Sequence, residues 1–110
     1  MSKRSDKLLV LDIREAVEKI LLYTAGMNEA EFMAHGMTVD AVIRNIEVIG
    51  EAASKFSSDH VETHTRIPYR QMTAMRNRLI HAYFGVSLPV LWKVVQDEIP
   101  LLKKQLDAIK

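Results

Sequence analysis

"TVDAVIRNIEVIGEAASKF", residues 38–56, is the clearest helical pattern in this chain of 110 residues. Apolar residues recur at alternating intervals of three and four and form one continuous stripe, made of Val39, Val42, Ile46, Ile49, Ala53 and Phe56. Thr38 is expected to cap this helix. The opposite face carries a polar row formed by Asp40, Arg44, Glu47 and Glu51. This row is either a solvated ladder of ion pairs or a set of side chains that positions something basic.

The rest of the chain carries the same helical signals, and no run alternates between polar and apolar residues as a strand does. Further helices are predicted over residues 5–23, 28–34 and 68–84, and a last helix capped by Ser87 should be kinked or split at Pro100. Residues 57–68, SSDHVETHTRIP, are expected to form a polar loop. We therefore predict one all-α domain over residues 1–110, an antiparallel bundle of four main helices plus a short one.

Composition narrows the class of protein. The chain has no cysteine, which excludes a disulfide framework, a thiolate nucleophile and a cysteine-based zinc site. No apolar run approaches the ~18 residues that a membrane span needs. The apolar run after the basic N-terminus is broken by Asp12, Arg14 and Glu15, and no small-residue cleavage site follows, so a signal peptide is not expected. A soluble, cytoplasmic protein is expected.

Charge is unevenly distributed, although the formal net charge is only +1. No acidic residue lies between Glu62 and Asp97, whereas this window holds Arg66, Arg70, Arg76, Arg78 and Lys93. Such a segment suggests an anionic partner, with nucleic acid as the first candidate, or else a solvated basic face. Arg70 and Arg78 are the candidate RNA-binding residues of this window.

"RNRLIHAYFGV", residues 76–86, places an unusual number of polar groups in a predicted helix. The core stripe of that helix consists of Met72, Met75, Leu79 and Ala82. Arg76 and Tyr83 are seven residues apart and share one flank of the helix, while Asn77 and His81 point away from their own bundle. Ile80 and Phe84 also lie off the core stripe, and this pattern predicts a dimer interface.

A histidine and an arginine can together cleave RNA without a metal ion. The histidine takes or gives a proton near neutral pH, and the arginine binds phosphate oxygens. No acidic residue lies near Arg76 and His81 in the sequence. The alternative is structural, with His81 bonded to Asn77 at an interface and Arg76 extended along the surface.

The same stretch resembles the Arg-x4-His-x-Tyr signature of HepT-like ribonuclease toxins in the HEPN superfamily. "IRNIEVIGEAA" (residues 43–53) resembles that family's second recurrent block, and "DEIPLL" (residues 97–102) is similar to its last helix. One difference is Tyr69, where many relatives carry Trp; the replacement is conservative.

The resemblance implies a HEPN-like helical dimer with a metal-independent ribonuclease site in the cleft between protomers. Arg76 and His81 match the catalytic pair, and Asn77 takes the polar position after the arginine. Tyr83 matches the tyrosine that a partner, a minimal nucleotidyltransferase antitoxin, modifies with AMP. No cofactor is implied.

Parts of the sequence also suggest other functions. His60 and His64 have the spacing of a metal-binding pair on a helix, but their polar surroundings favour a solvated loop, and no metal site is predicted. A non-catalytic helical subunit that docks a nucleotidyltransferase is the main alternative. A DNA-binding helix-turn-helix is disfavoured because the basic residues of residues 68–84 are spread around the helix.

Overall fold

All regular elements are helical in the part of the chain that the computed structural model describes, residues 4–80 and 87–109. The helices are α1 (Asp6–Thr24), α2 (Glu29–Ala34), α3 (Gly36–Ala53), α4 (Ser58–Thr63), α5 (Tyr69–Ile80), α6 (Leu88–Lys93) and α7 (Ile99–Asp107), with a π-helical segment (Val94–Glu98) between α6 and α7. The predicted all-α class is confirmed. None of the described helices is long and apolar enough to cross a membrane.

Helix α3 is the centre of the bundle, since it packs against α1 on one side and α5 on the other, while α7 also covers α1. Its apolar stripe is buried as predicted: Val39, Val42, Ile46, Ile49 and Ala53 lie in the core, and Phe56 beyond its end is partly buried. The facing stripe of α1, with Leu9, Ile13, Ala16 and Ile20, is buried as well. The helical period of the sequence therefore sets which faces meet.

The start of α3 differs from the prediction. The helix begins at Gly36 and is capped by His35, whose Nδ1 accepts the Thr38 backbone N–H at 3.2 Å. Thr38 is buried within the first turn, and its hydroxyl lies 2.8 Å from the same nitrogen. Thr38 is thus not the cap. The imidazole nitrogen provides the acceptor that a serine or threonine oxygen usually supplies.

The expected polar loop at residues 57–68 is wrong in part, because residues 58–63 form α4. Ser57 caps this helix by accepting the His60 N–H, and its own hydroxyl donates to Asp6 Oδ2 at 2.5 Å. The backbone N–H of Ser57 donates to the other Asp6 oxygen at 3.0 Å. A contact with a residue 51 positions away therefore anchors a segment whose composition alone suggested a loop.

The expected interruption at Pro100 is present. Residues Val94–Glu98 form a π-helical turn, and Pro100 then lies in the first turn of α7. Proline has no N–H for the helical hydrogen-bond ladder, so a widened turn just before it accommodates the missing donor. The apolar pattern continues across the break, since Val94, Val95, Ile99 and Leu102 are all buried.

Gly50 permits the close contact between α3 and α5. A Cβ atom at position 50 would overlap the Cβ of Arg76 and lie 2.8 Å from the Met72 carbonyl oxygen. Both of these atoms belong to α5, and one of them is rigid backbone. The absence of a side chain at Gly50 is therefore what lets the stem of Arg76 rest directly on α3.

Gly50→Ala is expected to destabilise the fold by roughly 1–3 kcal/mol, because α3 and α5 must separate to admit one methyl group. Gly36→Ala is the matched control: it lies on the same helix, a Cβ there meets nothing within 4 Å, and its effect should stay within about 1 kcal/mol. Urea denaturation followed by circular dichroism measures both. Equal stability of the two variants would contradict the close contact.

Candidate active site around Arg76

Arg76 reaches from α5 onto the surface of α3, and its side chain is only 17% exposed. Its Nη1 donates to the Glu51 Oε2 atom, 25 residues earlier in the chain. The second oxygen of Glu51 lies 3.2 Å from the Lys55 Nζ atom, one turn further along α3. The carboxylate therefore bridges two cations, using one oxygen for each.

This contact corrects the expectation that no acidic residue lies near the arginine. Glu51 is distant in sequence, but the close packing at Gly50 places it beside Arg76. Both interpretations of the polar row on α3 apply to Glu51, which pairs along its own helix with Lys55 and across to Arg76. Among the described residues, the other members of the row, Asp40, Arg44 and Glu47, form no ion pair.

The electrostatics of the contact favour the charged form of the Glu51 carboxylate. The hydrogen bond and the charge of Lys55, together with the charge of Arg76, lower the pKa of Glu51 below its ordinary value. A guanidinium has five N–H donors, of which Glu51 takes one. The buried Nε of Arg76 has no hydrogen-bond partner among the described residues. Glu51 thus leaves the other N–H groups of the Arg76 guanidinium unbonded among the described residues, and of these groups Nε is enclosed by the protein.

A groove of about 360 Å³ runs beside this ion pair, between α1 and α3. Its charged lining consists of Arg4, Asp12, Arg44, Glu47, Glu51, Lys55 and Arg76. Arg4 forms a two-pronged contact with Asp12, with Nε–Oδ2 and Nη2–Oδ1 distances of 2.7 and 2.9 Å. The groove is therefore polar and of mixed charge, with Arg76 at its wall.

The structure describes the positions of some predicted site residues and not of others. Asn77 and Arg78 are exposed on α5, as is Arg70 near its start, so Asn77 does point away from the bundle. Met72 is buried, and Met75 and Leu79 pack against the core, as the predicted stripe requires. Ala82 of that stripe, the site residues His81, Tyr83 and Phe84, and the side chain of Ile80 lie outside the described residues. Their predicted roles stay predictions.

His60 and His64 belong to an aromatic cluster rather than to a solvated loop. The His60 ring stacks on Phe56 at 4.3 Å and lies 4.4 Å from the His64 ring. Its Nε2 is 2.7 Å from the hydroxyl of the buried Tyr69. Burial, followed by the charge of His64, lowers the pKa of His60, and burial raises the pKa of Tyr69. No group of three or more His, Cys, Asp or Glu in the described ranges could hold a metal ion.

Glu51 is the site residue that sequence reasoning did not assign. Its place in the polar row opposite the core stripe was visible, and so was its neighbour Gly50, a small residue in the middle of a long helix. A glycine at that point signals the close approach of another helix. The partner of Glu51 could not be identified without the fold.

Comparison with known proteins gives matches to ribonucleases of one kind. A family model described as "Ribonuclease HepT-like" matches residues 13–109. A protein named probable ribonuclease HepT from Thermococcus cleftensis is 44% identical over 108 residues, which is 98% of each chain. The putative RNase MJ1380 of Methanocaldococcus jannaschii is 37% identical over 99% of this chain and 100% of its own. The putative RNase TTE0752 of Caldanaerobacter subterraneus subsp. tengcongensis is 32% identical over 88% and 87%, respectively. No solved structure matches.

Proposed function

The chain belongs to the HepT-like ribonuclease family, and we propose that it is a metal-independent endoribonuclease in which Arg76 and His81 carry the reaction. The observation behind this proposal is the position of the Arg76 guanidinium, which Glu51 holds at the wall of a groove lined by charged residues. This guanidinium still has N–H donors that Glu51 does not use. Asn77, exposed beside it, supplies the polar position of the motif. Arg70 and Arg78, exposed on the same helix, would bind the RNA backbone on either side.

The proposed reaction uses the ribose 2′-hydroxyl as the nucleophile. A base removes its proton, the 2′-oxygen bonds to phosphorus, and the bond from phosphorus to the 5′-oxygen breaks. An acid protonates that leaving oxygen, so the products are a 2′,3′-cyclic phosphate and a free 5′-hydroxyl. His81 serves in proton transfer, and Arg76 stabilises the negative charge that grows on the phosphate oxygens.

The purified, unmodified protein should cleave RNA in EDTA and leave cyclic or 3′-phosphate ends. His81→Ala should lower the rate by roughly two to four orders of magnitude, the usual effect of losing a general acid–base group. A DNA strand of the same sequence, which lacks the 2′-hydroxyl, is the control substrate and should stay intact. Gel analysis of the end-labelled RNA and DNA strands measures cleavage in all three reactions. Activity that disappears with EDTA would refute the mechanism. A wild-type protein that cleaves no RNA would favour a non-catalytic docking subunit.

We also propose that the working form is a homodimer through the C-terminal half of the motif helix, which would bring two copies of the site into one cleft. The support is the sequence pattern, in which Ile80 and Phe84 lie off the core stripe.

Phe84→Glu should convert the dimer to monomers, because it would bury an unpaired charge at the contact. Leu22→Glu is the matched control, since Leu22 is 72% exposed on α1, and it should leave the assembly unchanged. Light scattering of both variants at several concentrations provides the measurement. A Phe84→Glu protein that remains dimeric would rule out this interface.

We also propose that a minimal nucleotidyltransferase antitoxin inhibits the enzyme by adding AMP to Tyr83. Tyr83 follows Arg76 by seven residues, so both fall on one flank if the helical register continues. Each AMP linked through a phosphodiester would bring about one negative charge next to the arginine. Such a group would compete with the RNA phosphate and block the site.

Incubation with such a partner and ATP should raise the intact mass by whole AMP units, and Tyr83→Phe should abolish this change. The other tyrosines act as internal controls. Tyr69 is only 4% exposed and its hydroxyl is engaged by His60, whereas Tyr23 is 39% exposed and accessible. AMP found on Tyr23, or loss of activity with no added mass, would contradict the proposal.

A further inference from the structure

Glu51 has no task in the proposed reaction, yet it is the only described acidic side chain in contact with Arg76. Its own side chain is 50% exposed, so solvent weakens the ion pair and limits what the pair adds to stability, although the Arg76 side chain is only 17% exposed. A purely structural benefit is therefore a weak reason for this contact. The geometry of the contact indicates a different reason for it.

Arg76 is restrained at both ends of its side chain. The stem packs on Gly50, where no side chain intervenes, and the guanidinium is bonded to Glu51. Glu51 is in turn restrained by Lys55, which binds its second oxygen. A long, flexible side chain is thus fixed by two neighbouring residues of α3 and by a lysine one turn later.

We propose that Glu51 is a positioning residue, which orients the Arg76 guanidinium so that its remaining donors face the phosphate of the RNA. This inference rests on the proposed function. Glu51 engages a single N–H of Arg76, so it fixes the direction of the guanidinium without using up its binding capacity. The hydrogen bond and charge of Lys55, together with the charge of Arg76, lower the pKa of Glu51, which favours the charged form of its carboxylate.

Glu51→Gln tests the inference, because glutamine preserves the size of the side chain and removes its charge. We expect kcat/KM for RNA cleavage to fall about ten- to a hundredfold, as a misplaced binding group does, while the denaturation midpoint changes little. Asp40→Asn is the matched control. It removes a carboxylate charge from the same polar row of α3, outside the groove and with no ion pair in the described chain, and should leave cleavage unchanged.

A second measurement reports on Arg76 directly. Relaxation of the Arg76 Nε–H signal in ¹⁵N nuclear magnetic resonance should show a rigid group in the wild type and in Asp40→Asn, and a mobile one in Glu51→Gln. A fall in rate together with greater mobility supports the inference. A fall in rate with Arg76 still rigid would mean that Glu51 acts on the substrate itself, and an unchanged rate would mean that it has no role; either result overturns the inference.

The two measurements separate this inference from the proposed function. A wild-type protein that cleaves no RNA overturns both. Cleavage by the wild type that is lost in Arg76→Ala but retained in Glu51→Gln overturns the positioning role alone.

Discussion

The contact between Gly50 and Arg76 is the constraint on which the rest of the site depends. It sets the distance between α3 and α5, because any side chain at position 50 would collide with α5. The same contact lays the stem of Arg76 across α3 and brings its guanidinium to Glu51. Packing and charge placement thus depend on adjacent residues. Gly50 allows α3 and α5 to touch, and the next residue, Glu51, binds Arg76.

Arg76, which lies in the basic segment of the sequence, acquires its counter-charge only in the fold. Residues 63–96 contain five basic side chains and no acid, but Arg76 is paired by a glutamate from α3. Arg70 and Arg78 are exposed on α5 and make no ion pair among the described residues. The charge available to an anionic partner therefore differs from the charge counted along the chain. The arginine assigned to the reaction is fixed in place, and those assigned to backbone binding extend into solvent.

Periodicity predicted the helix faces that neighbouring residues define, and most failures arose where a distant residue decides. The cap of α3 is a local exception, because His35 and not Thr38 provides the acceptor. The stripes of α1 and α3 and the break at Pro100 are local properties, and all three are present. Helix α4 was missed because its cap is held by Asp6, 51 residues away. The Glu51–Arg76 pair was missed for the same reason, since it joins two helices across a contact that only the packing defines. The roles of His81 and Tyr83 rest on the motif and the family, because these residues lie outside the described part of the chain.

The role proposed for Arg76 suits arginine rather than lysine. A lysine would carry the same charge, but its single ammonium is a compact point charge that cannot present a planar, two-pronged face. A guanidinium can donate one N–H to Glu51 and still offer paired donors in another direction. Because it is planar and rigid, fixing one edge also fixes the orientation of the others. In the proposed site, a carboxylate on one side of Arg76 would therefore determine where a phosphate binds on the other side, and this coupling needs both the shape of arginine and the position of Glu51.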